Sequence, residues 1–196
     1  MIGAIRRHRA LVIVALSYVI GWTIYGFAAE RPGTIPYLMT MVVLFVVMVA
    51  LDAKIRFSNA VLWIFCGWGM AHMAGGLVPV GSGVLYNASL GFQLLRYDRV
   101  VHAVGFGTAA IACWQGLCAA LDRRPDVGVG LAALVALMGM GVGAVNEVVE
   151  FWASHAFAAN VGGYQNTGWD LVANLIGCSA AGAGLMLLVN RQPRAA

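Results

Sequence analysis

The sequence is poor in charge. Asp, Glu, Lys and Arg make up 10% of its 196 residues, against 61% hydrophobic residues and a mean hydropathy of +0.83. A water-soluble domain carries about 25% charged residues to cover its surface, so water is the wrong solvent for this chain. Cysteine is also scarce. Cys66, Cys113, Cys118 and Cys178 each lie inside an apolar run and none forms a C-x-x-C pair, which leaves them as small packing residues rather than a zinc cluster. There is no basic stripe with interleaved aromatics, which argues against nucleic acid as a partner, and no G-x-S-x-G or P-loop. Gly139-Met140-Gly141-Val142-Gly143 resembles a dinucleotide loop only on paper, because it lies within an apolar run and follows no strand.

What the sequence does have is long apolar runs. A spanning helix needs about 20 mostly apolar residues. Such runs fall at Ala10–Ala28, Ile35–Leu51, Ala60–Val78, Val100–Leu121, Val129–Ala153 and Trp169–Val189. Charged or Pro/Gly-containing breaks separate the early runs: Glu30-Arg31-Pro32-Gly33, Asp52-Ala53-Lys54-Ile55-Arg56, and Asp122-Arg123-Arg124-Pro125-Asp126. The expectation is an all-α, polytopic integral membrane bundle of about six helices, one transmembrane domain over 1–196, with the polar motifs on helices within 60–190. With a cytoplasmic N-terminus, the inside segments hold Arg6, Arg7, Arg9, Lys54, Arg56, Arg123, Arg124, Arg191 and Arg194, and the outside ones only Arg31, Arg96 and Arg99. That bias predicts both termini cytoplasmic, as in a plasma (bacterial inner) membrane. An alternative reading of the first run is a cleaved signal peptide ending near Ala28, which would leave five spans and change nothing downstream.

Four acids lie outside the loops just named: Asp98, Glu147, Glu150 and Asp170. At ~1.5 Å per residue, His72 lies roughly 9 Å below the outer end of the third span, His102 about 6 Å into the fourth, Glu147 about 9 Å below the end of the fifth and Asn174 about 7 Å into the sixth. Four helices thus place polar groups at one level. Asp98 and His102 are i, i+4, as are Asn146 and Glu150 and also Asp170 and Asn174, while Glu147 and Glu150 are i, i+3, so each pair shares a helix face. Gly105, Gly177, Gly75-Gly76 and the Gly139/Gly143 pair allow the close helix approach that would gather these faces.

A carboxylate at mid-membrane costs at least ~2.5–3.5 kcal/mol on the mildest insertion scales, and two glutamates on one face repel if both ionise. A divalent cation resolves this: carboxylate and imidazole donors suit zinc, manganese or iron, and a metal-bound water becomes nucleophilic near neutral pH. The expected metal ligands are His72, His102, Glu147 and Glu150, with Glu147, Glu150 and His102 also as proton-transfer groups and Asp98, Asp170 and Asn174 in support. Blander readings stand beside this one. His72 could be an interhelical hydrogen-bonding residue. Asp98 and Asp170 could cap helices, and Arg96 or Arg99 could neutralise an acid with no metal. His155 is the weakest member, at the interface. Two outer segments, Pro79 to Tyr97 and His155 to Thr167, are expected as a partly apolar flap and a flexible polar turn.

His72-Met73-Ala74-Gly75-Gly76, Tyr97-Asp98-Arg99-Val100-Val101-His102, Glu147-Val148-Val149-Glu150-Phe151-Trp152, and Trp169-Asp170 with Asn174 and Gly177 form an ordered set over about residues 70 to 180. The set resembles the YjdF-like bacterial inner-membrane family of unknown function, and more distantly the VanZ-like membrane proteins linked to glycopeptide resistance. In the YjdF-like pattern the position of Asn174 is often Asp, and a Gly-Asp precedes the Trp-Asp where this chain has Asn166-Thr167. Fewer carboxylates argue against a two-metal site.

The expectation is therefore a multi-pass membrane protein with a polar, metal-binding site near the outer face, in contact with membrane lipids and modifying a lipid or lipid-linked envelope substrate. A small ion-coupled transporter and a structural or partner-binding protein with a helix-locking polar network are the alternatives.

Overall fold

The structure, a computed structural model, describes residues 1–91, 95–156 and 163–189. Its elements are a short helix α1 (Ile2–Arg7) followed by six long ones: α2 (Arg9–Ala28), α3 (Thr34–Ile55), α4 (Asn59–Leu77), α5 (Tyr97–Leu121), α6 (Val129–Ala156) and α7 (Tyr164–Val189). All six long helices are long and apolar enough to cross a membrane. The protein is an all-α polytopic membrane bundle. Between α4 and α5 lie a small antiparallel hairpin, β1 (Pro79–Val80) with β2 (Gly83–Val84), and a 3-10 turn over Leu85–Asn87.

Local chemistry sets the ends. Ser58 caps α4 by accepting from the Val61 amide at 3.4 Å. Arg56 and Asp122 adopt left-handed conformations, φ 58° and 49°, that stop α3 and α5. Pro36 sits in the first turn of α3, where a missing amide hydrogen costs nothing.

Helices α5, α6 and α7 pack into a tight three-helix unit around Phe106, Ala110, Trp114, Val135 and Cys178. At Gly177 an added Cβ would run into the Ala103 carbonyl, and one at Gly107 would sit 2.8 Å from the Gly177 carbonyl oxygen. The α5 and α7 backbones therefore touch, which only glycine permits. Gly143 on α6 instead makes room for a side chain: its Cβ would lie 2.6 Å from Asn174 Nδ2. Helix α4 joins this unit through Trp68 Nε1, which donates to the Val101 carbonyl at 3.0 Å, and through the Tyr97 hydroxyl, which donates to the Ala71 carbonyl at 2.9 Å. Helices α2 and α3 pack more lightly and turn Ile13, Ile20, Ile24, Met39, Val43 and Val47 outward, as suits a lipid solvent.

Three of the boundaries that differ from the sequence expectation bear on polar residues. Helix α3 runs through Asp52 to Ile55, so Asp52 is a buried helical residue and not a loop residue. Arg7 Nη2 donates to Asp52 Oδ2 at 2.7 Å and to its carbonyl at 3.0 Å, and that pairing allows the carboxylate to be buried. Helix α5 starts at Tyr97 rather than Val100. Helix α7 starts at Tyr164 rather than Trp169, so the segment taken for a polar turn is helical over its last residues. Arg191, Arg194 and Gly162, and Phe92 and Leu94 of the expected flap, lie outside the described residues.

Candidate functional site

The close crossing of α5 and α7 at Gly177 brings the residues one turn away, His102 and Asn174, into contact. Asn174 Oδ1 lies 3.2 Å from His102 Nδ1, and both side chains are buried. This contact is a hydrogen bond when Nδ1 carries the ring proton, and the lone pair is then on Nε2. Nε2 lies 3.6 Å from Asp98 Oδ1, one turn back on α5. From α6, Glu147 Oε1 approaches His102 Nδ1 at 3.8 Å.

Two groups of potential ligands form around this imidazole. Asp98, His102 and Asp170 each offer a donor atom within 4.8 Å of the others, and so do His102, Glu147 and Glu150. Four carboxylates thus surround one histidine in a largely desolvated setting. Their partners are mostly amides: Asn146 Nδ2 donates to Glu150 Oε1 at 2.7 Å, and Asn166 Nδ2 donates to Asp170 Oδ2 at 2.5 Å and Asp98 Oδ2 at 3.4 Å. Amides satisfy lone pairs without cancelling charge. Glu147 Oε1, Asp170 Oδ1 and Asn174 Nδ2 are buried with no hydrogen-bond partner among the described residues, although native proteins pair more than ~90% of such groups.

The structure also decides between readings of single residues. Asp170 is the seventh residue of α7 and only 1% exposed, so helix capping does not account for it. Asp98 stands in the first turn of α5, where the dipole favours its charge. Arg99 lies over the Trp169 ring, 4.6 Å from its centroid. His155 is exposed at the end of α6 and packs on Phe151, outside both groups.

His72 takes another place. The structure does not bring it into either ligand group. Its ring stacks on Trp68 at 5.1 Å, faces Tyr37 edge-on, and hydrogen-bonds through Nδ1 to the Tyr86 hydroxyl. His72 nevertheless lines the same cavity as Asp98, His102 and Glu150, a space of about 240 Å³ at the end of the bundle away from Met1. Val84, Tyr86 and Asn87 of the connection before α5 form part of its wall.

Sequence reasoning missed three contributors. Asn166 bridges Asp98 and Asp170; its i, i+4 spacing to Asp170 was the available signal, hidden by placing it in a turn. Tyr86 and Arg31 also line the cavity. Neither has a periodic relation to the motifs, and only the fold brings them there.

No curated protein and no solved structure matches the chain. One family model does, over residues 10–191, and by that match the chain belongs to the family described as predicted membrane protein (DUF2238).

Proposed function

We propose that the buried cluster around His102 is a divalent-metal site facing the outer side of a bacterial inner membrane, in an enzyme that hydrolyses or modifies a lipid or lipid-linked envelope substrate. The observation that carries this reading is the sharing of His102 between two ligand groups, Asp98–His102–Asp170 and His102–Glu147–Glu150, with oxygens of Glu147 and Asp170 buried and unpartnered among the described residues. An oxygen-rich set with one nitrogen suits zinc, manganese or iron. Asn174 acts as the outer partner that fixes the imidazole tautomer. A bound cation would offset the carboxylates and supply a nucleophilic water near neutral pH, with Glu147 and Glu150 as proton carriers. The ordered motifs also support kinship with YjdF-like and, further off, VanZ-like proteins.

Two observations weigh against the rivals. A transporter needs polar groups through the bundle, whereas below the cluster α5, α6 and α7 meet through Phe106, Ala110, Trp114, Val135 and Cys178. A helix-locking network gains its stability from paired groups, and this one leaves buried polar atoms unpaired.

Metal analysis of detergent-purified protein tests the proposal. Wild type is expected to hold a stoichiometric divalent metal that both Glu147→Gln and His102→Ala lose. Absence of metal from wild type, with both variants merely less stable, would favour the structural lock. Cation flux in liposomes would favour the transporter.

A further inference from the structure

Part of the same cavity's lining has a different character. Arg31, from the turn between α2 and α3, lines it, and its buried Nε has no hydrogen-bond partner among the described residues. No carboxylate among the described residues lies within ion-pairing distance of Arg31. His72 Nε2 is buried and unpartnered as well. Tyr86, outside the spans, is buried and its phenol is held well above the usual range by desolvation, so the hydroxyl keeps its proton and can donate to His72 Nδ1. The ring proton of a neutral His72 then sits on Nε2. Two N–H donors on cavity-lining side chains therefore lack acceptors among the described residues, and one of them is cationic. Desolvated donors of this kind call for an oxyanion, and a guanidinium suits phosphate geometry in particular.

The cavity also borders α3 and α6. Pro36, Tyr37 and Thr40 of α3 and Asn146, Val149, Glu150 and Ala153 of α6 all line it, yet α3 and α6 share no extended packed interface. Apolar side chains stand exposed along both margins, with Met39 and Val43 on α3 and Val142 and Val145 on α6. A polar cavity near one end of the bundle is thus bordered by two helices whose outer faces suit hydrocarbon.

We propose that this cavity takes the phosphate of a phosphate-bearing amphiphile, with Arg31 and His72 donating to the phosphate oxygens and the chain lying in the gap between α3 and α6. The proposal deepens the reading of the cavity as a substrate site and rests on it, but not on which metal binds. The phosphate lies between the donors and the His102 cluster, where a metal-activated water would reach it.

Calorimetric titration of the full-length protein in detergent tests this with three probes: dioctanoyl phosphatidic acid, dioctanoylglycerol and inorganic phosphate. Phosphatidic acid is expected to bind at least about tenfold tighter than dioctanoylglycerol, and Arg31→Gln to remove most of that difference, since a charge-assisted hydrogen bond is worth a factor of this size. Arg31→Lys, which keeps the charge, recovers part of it. Val149→Trp, which narrows the gap, weakens phosphatidic acid but not inorganic phosphate. Equal binding of the two lipids by wild type overturns the proposal whether or not the variants fold. So does Arg31→Gln binding phosphatidic acid as wild type does. Inorganic phosphate binding as tightly as phosphatidic acid, with Val149→Trp without effect, would assign the site to free phosphate and overturn the amphiphile. Metal content measured on the same samples separates the two proposals: lipid binding without metal sinks the metal site alone, and metal without lipid selectivity sinks this one alone.

Discussion

The two ends of the bundle bury charge in opposite ways. Near the N-terminus one carboxylate, Asp52, meets Arg7 at 2.7 Å and His8 at 3.4 Å. Cation and anion balance there, and the result is a clasp that holds α1 to α3. At the other end four carboxylates crowd one histidine, their hydrogen-bond partners are mainly asparagines, and the cavity's arginine pairs with none of them. Burying an ion pair is tolerable when the pair is complete, whereas an uncompensated buried charge costs several kcal/mol. At the first end the charges balance within the chain, although Asp52 Oδ1 is buried with no hydrogen-bond partner among the described residues. The second has no such internal balance among the described residues, and the proposed cation would supply it.

The comparison can be broken or sharpened by substitution. The largest effect is expected at His102, because both ligand groups share it: His102→Ala should lower metal affinity more than ~100-fold, beyond the cost of losing an outer partner. Asn174→Ala removes the acceptor for Nδ1–H and should cost about 10–100-fold in affinity while sparing the fold, as read by metal competition against a chelating dye. Asn166→Asp works in the other direction. It places a further carboxylate between Asp98 and Asp170 and should raise divalent-metal affinity about tenfold, because ligand charge tunes such sites. At the balanced end Arg7→Ala should lower stability by about 1–3 kcal/mol in thermal unfolding, since Arg7 is partly exposed, and leave metal content unchanged. Metal loss in Arg7→Ala would mean that the two ends are not independent.

Helical periodicity made much of the unbalanced end legible. The i, i+4 and i, i+3 pairs at 98/102, 147/150 and 170/174, with a rise of ~1.5 Å per residue, place these groups at one level, and in the structure they surround His102. The glycine register anticipated close helix approach: backbones touch at Gly177, and Gly143 makes room for the Asn174 side chain. What stayed hidden is of two kinds. Arg31, Tyr86 and the Arg7–Asp52 clasp depend on contacts between segments far apart in sequence, which no local pattern encodes. The start of α7 was obscured by local composition: Asn166 and Gly168 have low helix propensity, yet the helix begins at Tyr164 and Asn166 bonds Asp170 and Asp98 from its first turn. Placing Asn166 in a turn concealed its bridging role. His72 shares the level and the cavity but lies with Trp68, Tyr37 and Tyr86, because level along the bundle does not fix position around it.

The central claim is that a cation completes the charge at His102. X-ray absorption at the zinc edge of the zinc-loaded protein tests it most directly. The account predicts a shell of oxygens and one imidazole nitrogen at about 2.0–2.2 Å, with no sulfur and with the imidazole signature lost in His102→Ala. A sulfur-containing shell, or an imidazole signal unchanged by that substitution, would contradict it.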